Sequence, residues 1–296
     1  MRKGEFRLVV VEIIIFGSVQ GAVFALLALG YSLVYGVGGI LNLGHGAYYL
    51  MASYTFYLTW LIVGGFLGYF LGAIYALITA SILGIVSYFF IIKPLRELPI
   101  SILIGTFSVG FFIEQLVMVM VDRRLHVVPP LLNFSVNIFG ITLEVSYIFI
   151  IIFSALIIIL VTIFINKSKL GKSIRAVSQD REAAMLMGIN AGRVLMYTVM
   201  ISAMLAAIAA ILFTPVDVVA PYKGWPILTS AIAVVTLGGM GSLPGSVLGA
   251  FVLGYARLAT VYLLDPVYSS LIPVIIIILV LVVRPRGLFG KKEMNK

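Results

Sequence analysis

The sequence predicts an all-α integral membrane protein, and three observations carry that expectation. Of its 296 residues, 62% are hydrophobic and only 10% charged, against about a quarter charged in soluble domains. No Asp, Glu, Lys or Arg occurs between Ile13 and Ile92, a stretch several times longer than the roughly 20 apolar residues one helical crossing needs. The bases sit in loops and at the ends, flanking apolar runs, where Lys and Arg of membrane proteins collect on the cytoplasmic side. That placement accounts for the net charge of +9 without a nucleic-acid partner. Cysteine is absent, which excludes disulfides, thiolate catalysis and cysteine-ligated metals. Neither His45 nor His126 has an acidic or histidine cluster beside it in sequence, so no catalytic residue and no metal ligand is assigned. One transmembrane domain is expected over 1–296.

The first apolar run is Leu8 to Tyr35. Gly17, Gly21 and Ala25 recur every four residues, a small-residue stripe for close helix packing. Gln20 on the same helix is a candidate for lining an aqueous path. The basic start, MRKGEFR, has no small-residue cleavage site after it and reads as the lead-in to a retained span. Residues 36–50, GVGGILNLGHGAYYL, break helical continuity with five glycines and place Asn42, His45 and Gly46 among them. Either this is a polar turn between spans or it is irregular backbone at a cavity, the only place such backbone is tolerated at membrane depth.

A second run covers Ala47 to Val63 and a third Gly64 to Ile92. In the third, Gly64, Gly68, Gly72, Ala76, Ala80 and Gly84 form a four-residue seam for packing. The loop KPLRELP follows, then a fourth run from Ile100 to Val121 containing Glu114. A carboxylate inside a span costs several kcal/mol unless it faces a cavity or partner; the other reading places Glu114 near the interface. Asp122 to Leu143 is the next loop, with Arg123, Arg124 and His126 ahead of Pro129 and Pro130. A fifth run, Val145 to Ile165, precedes the polar interval 167–193. Val194 to Phe213 crosses back, and Pro226 to Leu264 is broken by GGMGSLPG at 238–245. Leu271 to Val283 crosses last, ahead of Arg284, Arg286, Lys291 and Lys292. Nine transmembrane helices are expected, with eight as the alternative. Counting back from a cytoplasmic 167–193 interval places the N-terminus outside, or else makes the first glycine break re-entrant.

Gly38, Gly39 and Leu43 recur as Gly238, Gly239 and Leu243. Paired interruptions in two halves of a transporter point to a transport site. The expectation is that 38–46 and 238–245, including Ser242, meet at a central path, offering N–H and C=O groups to a zwitterionic solute.

The polar interval reads KSKLGKSIRAVSQDREAAMLMGINAGR. Asp180 is placed to N-cap a helix, Glu182 suits the helix dipole in the first turn, and Gly188 is placed to end it in a left-handed conformation. The expectation is a helix of about two turns with an apolar face of Ala183, Ala184, Leu186 and Met187. It is either a solvated turn or a docking element.

Gly171, Arg175, Ala176, Asp180, Ala184, Gly188, Ile189 and Asn190 stand at the spacing of the coupling loop in ABC importer permeases, and most closely resemble the branched-chain amino-acid permeases. The stretches GILNLGHGAYYLMASY, TLGGMGSLPGSVLGAFVLGY and RPRGLFG extend the resemblance over nearly the whole chain, with Ala47 replacing an acidic residue frequent in those proteins. The resemblance implies a type II ABC-importer-like permease of a prokaryotic cytoplasmic membrane. It implies branched-chain amino acids as solute, with urea or another amino acid as the alternative. The implied partners are two cytoplasmic ATPase subunits, a second homologous permease and an extracytoplasmic solute-binding protein. No G-x-x-x-x-G-K-[ST] loop is present to hold nucleotide, so this chain needs no cofactor of its own and ATP is used by the partners. An autonomous secondary transporter is the less favoured reading, because Glu114 is the one clear carboxylate within a span.

Overall fold

The computed structural model describes residues 3–121, 123–131, 134–138, 141–284 and 287–289. They form eleven α-helices and a hairpin: α1 (Lys3–Gly38), α2 (His45–Val63), α3 (Gly65–Ser87), α4 (Pro99–Met120), β1 (Ser135–Ile138), β2 (Ile141–Glu144), α5 (Val145–Lys167), α6 (Lys169–Gln179), α7 (Arg181–Leu186), α8 (Ala191–Phe213), α9 (Gly224–Gly238), α10 (Leu243–Leu263) and α11 (Ile272–Val283). All but α6 and α7 are apolar, which leaves nine apolar helices among the described residues. Six of these (α1, α3, α4, α5, α8 and α10) are long and apolar enough to cross a membrane. With 15 and 12 residues, α9 and α11 rise roughly 22 and 18 Å, short of the ~30 Å hydrocarbon core. Asp122, Arg286, Lys291 and Lys292 lie outside the described residues.

Large apolar side chains point outward on several helices, among them Ile62, Phe90, Val119 and Val282. In water they would be aggregation surfaces; against lipid they cost nothing, and the helices satisfy their own backbone.

The small-residue stripes do pack helices. Gly17 and Gly21 let α1 lie against Tyr255 and Phe251 of α10, and Gly254 returns the contact. Gly68, Gly72 and Gly84 bring α3 against Trp60 and Phe56 of α2 and Ala203 of α8. Gly64 leaves the seam: with Gly65 it makes the α2–α3 turn, at φ +69° and +54°. Five residues after Ser87 widen into a π turn, Tyr88–Ile92.

Phe16 meets Tyr147 at the start of α5, edge to face at 5.1 Å, while Gly38 abuts Leu195 near the start of α8. So α1 begins at the hairpin end of the bundle and finishes at the α6–α7 end, placing its first turn opposite the polar interval. Residues 122–143, expected as a loop, contain the antiparallel hairpin, in register Ser135↔Glu144 and Ile138↔Ile141. The segment I-T-L-E buries Ile141 and Leu143 and exposes Thr142 and Glu144, the alternation of a half-buried strand.

The polar interval holds two helices where one was expected. Ser168 caps α6 by accepting from Gly171 N at 2.8 Å, and Ile174 and Val177 turn into the protein. Crowding by Lys167, Lys169, Lys172 and Arg175 hides that periodicity in the sequence. Gly171 has no room for a Cβ, which would meet Ile165 Cα at 2.6 Å, so α6 folds tightly back on the end of α5. Arg175 fastens the fold, donating to Asn166 Oδ1 and to the Asn166 carbonyl, both at 3.2 Å.

Candidate functional site

The first glycine break is both a helix end and a re-entry. Gly39, at φ +64°, adopts a conformation open to glycine and turns the chain back along α1. α2 then starts inside the bundle, because His45 lies against Leu27 and Gly30 of α1, roughly 12–16 Å back from the end of that helix. Buried irregular backbone needs partners, and the nearby polar residues supply them. Leu43 N donates to Thr106 Oγ1 at 3.1 Å. Gly44 N donates to Asn42 Oδ1 at 3.0 Å, and Asn42 Nδ2 to the Tyr48 hydroxyl at 3.3 Å. His45 Nε2 meets the Leu27 carbonyl at 3.1 Å, and Ser202 Oγ meets Nδ1 at 3.2 Å. A carbonyl only accepts, so Nε2 carries a proton. Asn42 and His45, at 2% and 0% exposure, thus tie α1, α2 and α8 together, and Leu43 N adds α4 through Thr106.

Beside this knot is a small pocket lined by Gly46, Ala47 and Leu50 of α2, Gly110 and Glu114 of α4, and Gly224, Trp225 and Leu228 of α9. It has space for about a single water. Two helices begin here, α2 at His45 and α9 at Gly224, with their backbones touching through Gly46 and Gly224. Glu114 is 7% exposed and is the carboxylate of this pocket. The structure thus brings Gly46 and Glu114 together. If the carboxylate serves solute passage, Glu114→Leu will leave assembly intact, since replacing a buried charge by a well-packed apolar group is often neutral or stabilising. Uptake per membrane-inserted subunit is expected to fall about tenfold, an energy near 1.4 kcal/mol, with Glu114→Gln intermediate. Parental uptake by the Leu variant would reduce Glu114 to an interfacial carboxylate.

The second break lies elsewhere. Gly238 packs against Gly245, Gly239 (φ +99°) against Gly287, and Ser242 caps α10 by accepting from Gly245 N at 3.2 Å. Leu288 N and Phe289 N donate to the Leu237 and Gly238 carbonyls. The two breaks touch at Gly36 and Gly241, at the α6–α7 end, and not at Asn42 or His45. The expected convergence at a central path is therefore corrected: the break that meets the start of α2 is the α8–α9 connection. Its signal was present in Pro215, Pro221, Gly224 and Pro226, helix breakers without an echo in the first half. Gln20 is on α1, away from the pocket lining, its Oε1 buried without a partner. Arg257, a cation within α10, was also missed by the sequence reading.

At the α6–α7 end, Asp180 Oδ1 accepts from Ala183 N at 3.0 Å, capping α7 as expected. Gly188 ends it at φ +82°, with Gly188 N donating to Met185 O and Ile189 N to Ala184 O, each at 3.0 Å. Asn190 then caps α8, accepting from Arg193 N at 3.0 Å. The expected apolar face is corrected in one residue: Ala184 is buried in the protein, while Ala183, Leu186 and Met187 face outward with Met185. Glu182 and Ala176 are exposed and half-buried respectively. Arg96 is held below the usual arginine range, first by burial and then by neighbouring Arg181. Tyr88, at the π turn, donates to the Gly192 carbonyl at 2.8 Å.

A bundle that turns apolar side chains outward and gathers helix starts and polar groups inside defines a class, the multi-pass membrane permease. The family follows from comparison with known proteins. Residues 13–281 match the family described as branched-chain amino acid transport system / permease component, and the chain belongs to it. It is 32% identical over 305 residues to the high-affinity branched-chain amino acid transport system permease protein LivH of Salmonella typhimurium, covering 95% of each chain. It is 31% identical over 296 residues to BraD of Pseudomonas aeruginosa, again with 95% of each covered. It is 27% identical to LivM of Escherichia coli, over 90% of this chain and 67% of that one. The fold is shared with a chain of PsaBC from Streptococcus pneumoniae in complex with Fab, at TM-score 0.53, 14% identity and 94% of each chain.

Proposed function

We propose that this chain is the permease subunit of an ATP-driven importer for leucine, isoleucine and valine in a prokaryotic cytoplasmic membrane. Two cytoplasmic ATPase subunits, a second permease resembling LivM and an extracytoplasmic solute-binding protein complete the machine. The solute follows from the names of LivH and BraD, the relatives matched over nearly the whole chain. The observation that carries the mechanism is α7, a capped six-residue helix that displays Leu186 and Met187 to its surroundings. Exposed apolar side chains on a short rigid element are what a partner surface needs. The ATPases bind ATP and push on α7; this chain holds no nucleotide and has no catalytic residue. Gly171, Arg175, Ala176, Ile189 and Asn190 position α7 between α6 and α8. The solute passes near Gly46 and Glu114, where α2 and α9 begin, and the helices around that point rock to alternate access.

Motion of α7 reaches the bundle through α8, whose Gly192 carbonyl holds Tyr88 at the end of α3. Tyr88→Phe removes one hydrogen bond, about 1 kcal/mol, and is expected to raise the ATP consumed per solute moved several-fold while leaving ATPase attachment intact. An unchanged ratio in reconstituted vesicles would make the contact a simple staple.

The function is tested by reconstituting the complete transporter with its binding protein and measuring uptake of leucine, isoleucine, valine and urea, with and without ATP. ATP-dependent uptake of the three branched-chain amino acids is expected. Uptake of urea alone would move the substrate class, and uptake driven by an ion gradient without the ATPases would overturn the importer reading.

A further inference from the structure

We infer that Arg257 on α10 and Gln20 on α1 form a carboxylate-binding station at the hairpin end of the bundle, which takes the α-carboxylate of the entering amino acid. This rests on the proposed reading that the solute is a zwitterionic amino acid. Arg257 lies within an apolar crossing helix, Leu243–Leu263, where an ionisable residue is costly and marks function. It is half-buried, and its guanidinium carbon stands 5.9 Å from the centre of the Phe24 ring on α1. Among the described residues no hydrogen bond or ion pair engages it.

The opposite charge that reaches it is already engaged. Asp217 is the opposite charge that acts on Arg257, but its Oδ2 pairs with Lys223 and its Oδ1 accepts from Val218 N at 2.9 Å. Asp217 is thus committed to Lys223 and to Val218 N, and the Arg257 guanidinium is left without a hydrogen-bond acceptor among the described residues. Gln20 lies one turn before Phe24 on the same face of α1, and its Oε1 is buried without a hydrogen-bond partner. A donor set with no acceptor thus stands over the Phe24 ring, and an acceptor with no donor lies one helical turn away on the same face of α1. That pair is the complement of a carboxylate beside an ammonium. Guanidinium N–H groups bind a carboxylate through paired hydrogen bonds, and the amide oxygen accepts from the ammonium. The helices that present them are fixed: a Cβ at Gly21 would meet Phe251 Cα at 3.0 Å, and one at Gly254 would meet Gly17 O at 2.7 Å. The station is therefore preorganised and loses little entropy on binding.

The test uses the complete transporter in liposomes with leucine-loaded binding protein. Arg257→Gln is expected to lower leucine uptake about tenfold while ATP hydrolysis stimulated by the binding protein changes by less than about twofold, with Arg257→Lys between. Parental uptake by Arg257→Gln overturns the inference. A second arm does not depend on transport or on that variant folding. The chain has no cysteine, so Gln20→Cys offers a single thiol on it, read by mass on this subunit. An anionic methanethiosulfonate is expected to react about tenfold faster than a cationic one of equal size, and leucine to slow it. Equal rates, or protection by phosphatidylglycerol but not by leucine, overturn the inference, the latter by assigning Arg257 to a lipid headgroup. A parent transporter that takes up no branched-chain amino acid, but keeps the charge-selective labelling and is protected by another carboxylate solute, refutes the proposed substrate and leaves the station standing.

Discussion

Leu186→Glu is expected to leave this subunit folded in the membrane and to abolish ATP-driven uptake. Leu186 and Met187 are 88% and 83% exposed, so the chain's own fold gains little from them, and an exposed substitution of this kind changes stability by about 0.5 kcal/mol or less. What holds α7 is elsewhere: the Asp180 cap, buried Ala184 and the turn at Gly188. In the proposed complex these two side chains are buried by the ATPase. A carboxylate placed there must lose its water without gaining a partner, and central interface residues of this kind cost about 2 kcal/mol or more, roughly thirtyfold in affinity. Ala184→Asp tests something different. It places a carboxylate inside the protein, a cost of several kcal/mol, and is expected to deplete the subunit itself. Gly188→Val stands between them, since a residue with a Cβ at φ +82° is strained by about 1–2 kcal/mol and misdirects the start of α8. The measurement is co-purification of ATPase with tagged permease, beside uptake per subunit. Full co-purification and uptake in Leu186→Glu would remove α7 from the coupling mechanism.

How far the sequence can be read follows from where its signals are local. The ends of α7 were legible because capping is a matter of three or four neighbouring residues: Asp180 accepts from Ala183 N, and Gly188 takes the left-handed turn. Which side of α7 faces the protein was not, because that depends on how α6 folds back on α5 through Gly171 and Arg175. The glycine stripes on α1 and α3 were legible as packing, since spacing of four residues defines a helix face whatever lies opposite. The break at 36–46 was legible as a break, yet its partner was not. Glycine and proline report that a helix stops and carry no information about which other stop it meets. The likeness of 38–43 to 238–243 reflects shared turn chemistry, and the packing that joins Gly46 to Gly224 comes from two glycines 178 positions apart. Glu114 and Arg257 are each a lone charge in an apolar run, but Arg257 lies near the end of α10, where a base has the sequence signature of a loop residue.

Gly46→Val is expected to cost the transporter its assembled state. A Cβ at Gly46 would overlap the Gly224 carbonyl and lie 3.1 Å from Leu228 Cβ. The obstruction is backbone, so no rotamer change relieves it. Nor can α2 slide away, because on its other side His45 is held by the Leu27 carbonyl and by Ser202. Relief requires moving the start of α9, which carries Gly224, Trp225 and Leu228 of the Glu114 pocket. Forcing extra methyl groups into a filled site costs about 1–3 kcal/mol when the surroundings can yield; here they cannot, and valine brings three carbons. The reciprocal substitution separates crowding from glycine as such. A Cβ at Gly224 would sit 3.3 Å from Gly46 O and 3.8 Å from Leu50 Cβ, a contact relieved by a shift of a few tenths of an ångström. Gly224→Ala is therefore expected to assemble and to retain at least about half of parental uptake, and Gly46→Ala to fall between, an ordering set by overpacking. Thermal midpoints of the purified complexes and uptake per subunit read both. Equal tolerance of Gly46→Val and Gly224→Ala would mean that α2 and α9 do not meet at these two backbones, and with that the pocket between their starts would lose its walls.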